Sequence, residues 1–185
     1  SFLFGGVDQH LLRKCPCPVL IDQPTTGASY GRVVAAVDPY SGEQPSRLIM
    51  DLATSLAQRE EADLTVVHAW RFEGESMLRS GRTQLPSAEV DRLLESTRQH
   101  HAEALEALLR PYGLSATDET VHLVKGFAAP TILHYGAEAD LIVMGTVGRS
   151  GIPGLIIGNT AEDVLQKTRA SVLAVKPDGF HSPVF

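Results

Sequence analysis

The sequence predicts an α/β fold, a parallel sheet wound right-handedly and covered by helices on both faces. Two observations carry this. From Arg32 onward, short apolar runs of strand length alternate with stretches of helical periodicity, the order that builds parallel βαβ units. A run of glycines then joins the end of one strand to the start of a helix, the place where open α/β sheets bind ligands.

The elements follow in order. Residues 5 to 22 can be laid without a gap on residues 158 to 175 at a constant offset of 153, each stretch reading as a glycine, a short amphipathic helix and an apolar strand. Gly5 falls on Gly158, Leu11 and Leu12 on Val164 and Leu165, and Val19-Leu20 on Val172-Leu173. An offset of one domain length predicts tandem copies. Residues 1 to 22 are therefore expected to be the closing helix and strand of a first domain, with the chain beginning inside it. Gln23 to Tyr30 is polar, carries Pro and Gly, and reads as a linker. A complete domain is expected over residues 31 to 178, followed by a tail over 179 to 185.

Within that domain Val33 to Val37 predicts a strand, and Ser46 to Gln58, following Pro45, predicts a helix with Leu48, Ile49, Leu52, Leu56 and Ala57 on one stripe. Leu64 to Trp70 is the next strand. Phe72 to Pro86 lacks any pattern and reads as a mobile surface loop long enough to cover a site. Ser87 to Leu109 predicts a long helix with Val90, Leu93, Leu94, Leu105, Leu108 and Leu109 inward, stopped by Pro111 and Gly113. Val121 to Lys125 is a strand, Pro130 to Ala137 a helix, Asp140 to Met144 a strand, Asn159 to Thr168 a helix and Ser171 to Lys176 the closing strand. A closing strand is a sheet edge with unpaired backbone groups, which proteins usually cover. Residues 18 to 22 are expected to lie beside residues 172 to 176 of this chain or of a second copy.

Composition narrows the function classes. The 185 residues are 43% hydrophobic and 21% charged, the proportions of a folded domain. A net charge of -6 without a basic cluster offers no phosphate-neutralising face, so neither nucleic acid nor a membrane surface is expected as a partner. Cys15 and Cys17 are the only cysteines, too few for a disulfide framework, and no apolar run approaches the ~20 residues that span a bilayer. The opening Ser1 to Gly6 has no charged region of the signal-peptide kind. A cytoplasmic location is expected.

The chemistry concentrates at Gly145-Thr-Val-Gly148, nine further residues, then Gly158-Asn-Thr-Ala-Glu162. Glycines at 145, 148, 151 and 154 let a backbone approach an anion, and Asn159 or Thr160 is placed to cap the next helix, with Glu162 or Asp163 completing a capping box. A phosphate site and an ordinary glycine-rich turn both fit this spacing. There is no Gly-Lys-Ser or Gly-Lys-Thr of a P-loop and no compact GxGxxG.

Asp140-Leu-Ile-Val-Met144 followed by this glycine pattern closely resembles the universal stress protein family, in which Gly-x-x-Gly, nine residues, then Gly and Ser or Thr bind ATP. The resemblance covers residues 32 to 177, including Val33-Val-Ala-Ala-Val-Asp38, Leu64-Thr-Val-Val-His68 and Gly126-Phe-Ala-Ala-Pro-Thr-Ile132, and the Gly-Asn-Thr-Ala-Glu wording is similar to the tandem E-type branch. It implies a doubly wound five-stranded parallel sheet in order 3-2-1-4-5, of the Rossmann-like, adenine nucleotide α-hydrolase-like kind, with two helices on each face. It implies ATP, accompanied by Mg²⁺, as cofactor, and pairing of domains through their final strands, within the chain or as a homodimer.

Carried over position by position, the resemblance places adenine near Ala36, Asp38, Ala69 and Met144, and phosphates near Gly145, Gly148, Gly158, Asn159 and Thr160. Two roles fit Asp38: acceptor for a purine or ribose group, and cap for the turn into Pro39. One departure stands out, since Asn159 occupies the place of the family's Ser or Thr and cannot simply replace a hydroxyl. In the first copy Gly6 and Val7 hold the places of Asn159 and Thr160, making it the poorer site.

Other reactive residues read as structural. His100 and His101 are adjacent on a helix, pointing about 100° apart, and are expected to be solvated; His68 and His134 are expected to be hydrogen-bonded structural residues. Cys15 and Cys17 read as small buried side chains entering a strand. No nucleophile with its base, carboxylate pair or metal-ligand cluster stands out, so an enzyme is not expected. The expected function is that of a stress-response regulatory module that binds ATP or another adenine nucleotide. The alternatives are an interaction or scaffold module of the same fold without nucleotide, and a slow ATP hydrolase.

Overall fold

Successive residues of a strand point to opposite faces, so strands that are apolar at every position require cover on both sides. The computed structural model, which describes residues 11, 12, 14–23, 29–41, 43–80, 85–147 and 157–176, provides it. The elements are β1 (Val19–Ile21), β2 (Arg32–Ala36), α1 (Glu43–Glu60), β3 (Asp63–Trp70), α2 (Glu75–Ser80), α3 (Ser87–Leu109), a 3-10 turn (Arg110–Tyr112), β4 (Val121–Lys125), α4 (Ala128–Gly136), β5 (Leu141–Gly145), α5 (Asn159–Lys167) and β6 (Ser171–Val175). Glycines 148, 151 and 154, the tail and Gly5 to Val7 lie outside the described residues.

The sheet runs β1-β6-β5-β2-β3-β4. Its five strands from β2 to β6 are mutually parallel and stand in the expected order 3-2-1-4-5. Val33 and Ala35 of β2 enter one core with Ile49, Met50 and Ala53 of α1 and Leu105 and Leu109 of α3. Val34 and Ala36 enter a second core with Ile132 of α4 and Val164 and Leu165 of α5. Two helices thus cover each face. The start of β2 is fixed to the start of β5 by Asp140, whose Oδ2 accepts the N–H groups of Gly31 and Arg32 at 2.9 and 2.8 Å.

The sixth strand is β1, antiparallel to β6 with Val19 opposite Ala174, Leu20 opposite Leu173 and Ile21 opposite Val172. Residues 18 to 22 therefore lie beside the closing strand of the same chain. Ser171 Oγ donates to Asp22 Oδ1 at 2.7 Å and accepts from Gln23 N–H at 3.0 Å, anchoring the strand's exit. Leu12, in the helical residues before β1, is fully buried in the second core, a contact worth about 2 kcal/mol of removed apolar surface.

Three expectations need correction. The 72 to 86 segment is not loop throughout, because α2 forms within it, its Glu75 carboxylate held by Lys125 at 2.7 Å and Arg79 at 3.2 Å. Hydrogen bonding to the Lys125 ammonium keeps the Glu75 carboxyl below the usual carboxylate range. Leu93 is exposed, not inward. Between Val90 and His101 no residue of α3 is buried, so that stretch does not lie on the core. Helix α4 starts at Ala128, before Pro130, since the first turn needs no N–H from proline.

Helix α1 ends with Glu61 at φ 54°, the one non-glycine with positive φ among the described residues. Ala62 N–H bonds Ala57 O at 2.8 Å and Glu61 N–H bonds Gln58 O at 3.5 Å, a Schellman closure that glycine fits best. Glu61→Gly is expected to stabilise the fold by about 1 kcal/mol, read as a raised chemical-denaturation midpoint at unchanged slope.

Tyr112 ties the end of α3 to α1, its hydroxyl donating to Asp51 Oδ1 at 2.7 Å. Burial, reinforced by the Asp51 carboxylate, pushes its pKa up to about 12 from 10. The folded state keeps this proton where the unfolded state loses it, so the contribution is complete below pH 10 and is lost as pH rises from 10 to about 12. The hydroxyl is partly open to solvent, which reduces the effect to about 1 kcal/mol. The stability difference between the wild type and Tyr112→Phe should therefore shrink between pH 9 and 12, measured by urea unfolding; a difference independent of pH would refute the assignment.

Candidate functional site

The connections leave β2 between β3 and β5 while the chain winds outward in both directions, which opens a crevice at the carboxyl ends of β2 and β5. A cavity of about 380 Å³ occupies that crevice. Eight of the nine residues carried over from the resemblance line it: Ala36, Asp38, Ala69, Met144, Gly145, Gly158, Asn159 and Thr160. The ninth, Gly148, lies outside the described residues.

The walls differ in chemistry. One is apolar, with Ala36 and Met144 at the strand ends, Val67 and Ala69 on β3 and Ile132 on α4. The other is the start of α5, joined to β5 by Thr146, whose N–H donates to Val175 O at 2.9 Å and whose carbonyl accepts Gly158 N–H at 2.7 Å. The first intrahelical bond of α5 runs from Glu162 N–H to Gly158 O, so helix geometry leaves the N–H groups of Asn159, Thr160 and Ala161 without intrahelical acceptors. Those three residues line the cavity, and the helix dipole adds positive potential there. Among the described lining residues Asp38 is the only one with a charged side chain.

Of the two roles offered to Asp38, the structure shows the cap of the turn. Its Oδ1 accepts Tyr40 N–H at 3.1 Å, and its carbonyl accepts the hydroxyls of Ser41 and Ser46, each at 2.7 Å. The carboxylate thus braces the turn from β2 into α1 and still lines the cavity.

The capping box is not formed. The N-cap of α5 is Gly158, which has no side chain to cap with, and Asn159 is already the first helical residue. Glu162 instead accepts from Gln166 at 3.3 Å and Asp163 pairs with Lys167 at 2.7 Å, both down the helix. Nor does Gly145 need its glycine for backbone freedom. The described positive-φ glycines are Gly74 and Gly113, and a Cβ on Gly145 would meet only ordinary contacts, 3.6 Å from Val147 O and 3.8 Å from Ile49 Cδ1.

The histidines and cysteines also depart from expectation. His101 is buried at 6% exposure while His100 is exposed; the 100° between adjacent helix positions turns one ring inward and the other out. His68 is buried and hydrogen-bonded, as expected. His134 is exposed, its ring edge-on to Tyr135. Cys17 is exposed and Cys15 half-buried in the bend before β1, so the reading of both as small buried side chains fails. Among the described residues no three His, Cys, Asp or Glu are grouped to hold a metal ion, and no helix is long and apolar enough to cross a membrane.

Sequence reasoning missed Ser41 in the turn before α1, Pro45 and Ile49 of α1, Thr146 and Val147 after β5, and Ala128 and Ile132 of α4, all of which line the cavity. Thr146 and Val147 lie within the glycine pattern and were legible there. The others reach the cavity only through the turns that follow β2 and β4.

Comparison with known proteins identifies relatives of this fold. A family profile described as the universal stress protein family matches residues 29 to 176. Universal stress protein E of Escherichia coli K12 is 29% identical over all of this chain, and a homologue of it in Haemophilus influenzae is 30% identical over 96% of the chain. The chain matches their C-terminal part and spans 58% of the length of each. Among solved structures, a protein of unknown function from Pseudomonas aeruginosa PAO1 superposes with TM-score 0.72 at 30% identity, over 94% of this chain and 57% of that one. A universal stress protein from Lactobacillus plantarum superposes with TM-score 0.61 at 22% identity, over 80% of this chain and 99% of that one, a likeness of fold. The chain belongs to the universal stress protein family.

Proposed function

We propose that this chain is a stress-response regulatory module of the cytoplasm that binds an adenine nucleotide, ATP first among them, in the crevice between β2 and β5. The observation that carries the reading is the convergence on one cavity of eight residues taken from four separate segments of the sequence. The apolar wall of Ala36, Val67, Ala69 and Met144 suits a purine, and Asp38 beside it can accept hydrogen bonds from a ribose hydroxyl or an amino group. At the other end the amides of Asn159, Thr160 and Ala161 suit phosphate oxygens. A single described carboxylate makes a poor Mg²⁺ cage, so the ion would be held through phosphate oxygens and water.

Residues 1 to 22 are read as the end of a first domain, 23 to 30 as a linker, 31 to 178 as the complete domain and 179 to 185 as a tail. The pairing of β1 with β6 supports association of two such domains through their final strands, within one chain or in a homodimer.

A second reading, an interaction module without nucleotide, is favoured by one residue: Asn159 stands where a hydroxyl side chain is expected. Isothermal titration with ATP and AMP, each with Mg²⁺ and against buffer, separates the two. Saturable heat with ATP supports the first reading; its absence with both nucleotides supports the second. A phosphate-release assay on the same samples should show no turnover, because no Walker-type lysine is placed at the described cavity wall and its one carboxylate, Asp38, lies beside the proposed purine end; sustained release would establish the hydrolase alternative.

A further inference from the structure

The stretch from Val37 to Ser41 lies just beyond the end of β2, where the ladder gives way to a turn that carries Asp38. Besides the serine hydroxyls on the Asp38 carbonyl, two further ties hold this turn, and both run to the same point on α3. The first passes through two buried imidazoles. His68 Nδ1 lies 3.0 Å from Val37 O, and His68 Nε2 lies 2.8 Å from His101 Nδ1. A carbonyl oxygen only accepts, so His68 carries a proton on Nδ1 and donates it to Val37. With His68 neutral, its Nε2 is an acceptor, and His101 Nδ1 is the donor to it. One contact therefore sets the tautomer of both rings.

The second tie is Tyr40. Its N–H donates to Asp38 Oδ1 at 3.1 Å, its hydroxyl donates to His100 O at 3.0 Å, and its ring stands edge-on to His101 at 4.8 Å between centroids. Trp70 also flanks His101, at 5.9 Å between centroids. The histidines are 1% and 6% exposed, and neither lines the cavity, whereas Val37 and Asp38 do. The carbonyl that His68 grips belongs to the same planar peptide unit as the Asp38 N–H. Orienting that carbonyl orients the plane from which the Asp38 side chain departs.

We propose that His68 and His101 are positioning residues for the ligand site, fixing the direction in which Asp38 presents its carboxylate to a ribose hydroxyl or amino group. The proposal rests on the nucleotide reading of the cavity. It also gives α3 a hold on the site from outside the cavity.

The test is the affinity of the full chain for ATP with Mg²⁺ by isothermal titration, well below the thermal midpoint of the weakest variant. His68→Leu removes the donor to Val37. His68→Asn keeps one, because an asparagine amide can take the place of Nδ1. One misaligned charged hydrogen bond predicts a loss of about tenfold for His68→Leu and recovery to within about threefold of wild type for His68→Asn. His101→Leu and His101→Asn should split in the same way, and carry the test if His68→Leu does not fold. In an Asp38→Ala background His68→Leu should cost nothing more, since its effect passes through the missing carboxylate. Equal affinities for the leucine and asparagine variants, or an undiminished His68→Leu effect without Asp38, overturn the proposal. Failure of the wild type to bind any nucleotide overturns the nucleotide reading and this proposal with it, whereas tight wild-type binding that His68→Leu leaves unchanged overturns this proposal alone.

Discussion

Replacing Ala69 by Phe is expected to weaken ATP binding by about a hundredfold or more, some 2.7 kcal/mol, while leaving the fold intact. Ala69 lies on β3 with its neighbour Trp70 turned into the opposite face, and its methyl group lines the cavity close to Val67 and Met144. A phenyl ring at this position would occupy the volume proposed for the purine. The cavity holds only about 380 Å³, and a nucleotide could not give way without leaving the amides of α5. Ala69 is only partly buried, so the added ring displaces solvent space and need not overlap the core. Titration calorimetry with a parallel thermal melt checks both halves of this expectation. Undiminished affinity in a folded Ala69→Phe protein would place the nucleotide elsewhere.

Gly136→Val is expected to destabilise the fold by about 3 kcal/mol. Gly136 is the last residue of α4 and is buried. A Cβ built there would lie 2.6 Å from Ile142 Cδ1 and 3.3 Å from its Cγ1. Ile142 is fully buried on β5, so its side chain has no open direction in which to retreat. Gly136→Ala should cost less, since the improved helix propensity of alanine, about 1 kcal/mol, offsets part of the overlap. Shortening the opposing side chain in Gly136→Ala/Ile142→Val should recover much of the loss, a coupling measurable in a double-mutant cycle by urea unfolding. Independent, additive effects would show that the two positions do not press on each other.

Much of the fold was legible because the relevant signals are local. Every strand of β2 to β6 announced itself as an apolar run, and helix ends were visible in proline and glycine, so the observed element bounds differ from the expected ones by three residues at most. What was misread depended on neighbours distant in sequence. Helical periodicity places Leu93 on an inward stripe, but nothing in the sequence says where along α3 its contact with the core lapses. The apparent capping box failed because the N-cap position falls on Gly158, which has no side chain, so Asn159 is already inside the first turn of α5. Short helix α2 escaped notice because its support comes from Lys125, fifty residues away.

The candidate site divides in the same way. The glycine pattern, the strand ends bearing Ala36 and Met144 and the acid at Asp38 were legible beforehand, since each is a residue type at a definite place in the sequence pattern. Packing alone settles that the β2-to-α1 turn and the first turn of α1 bring Ser41 and Pro45 to the same cavity and that His101 faces His68 across a helix–strand contact. It also decided that β1 covers the β6 edge within this chain. Pattern and propensity act over a few residues, whereas which side chains meet depends on the packing of elements joined by long connections, and that is settled only when the two cores close.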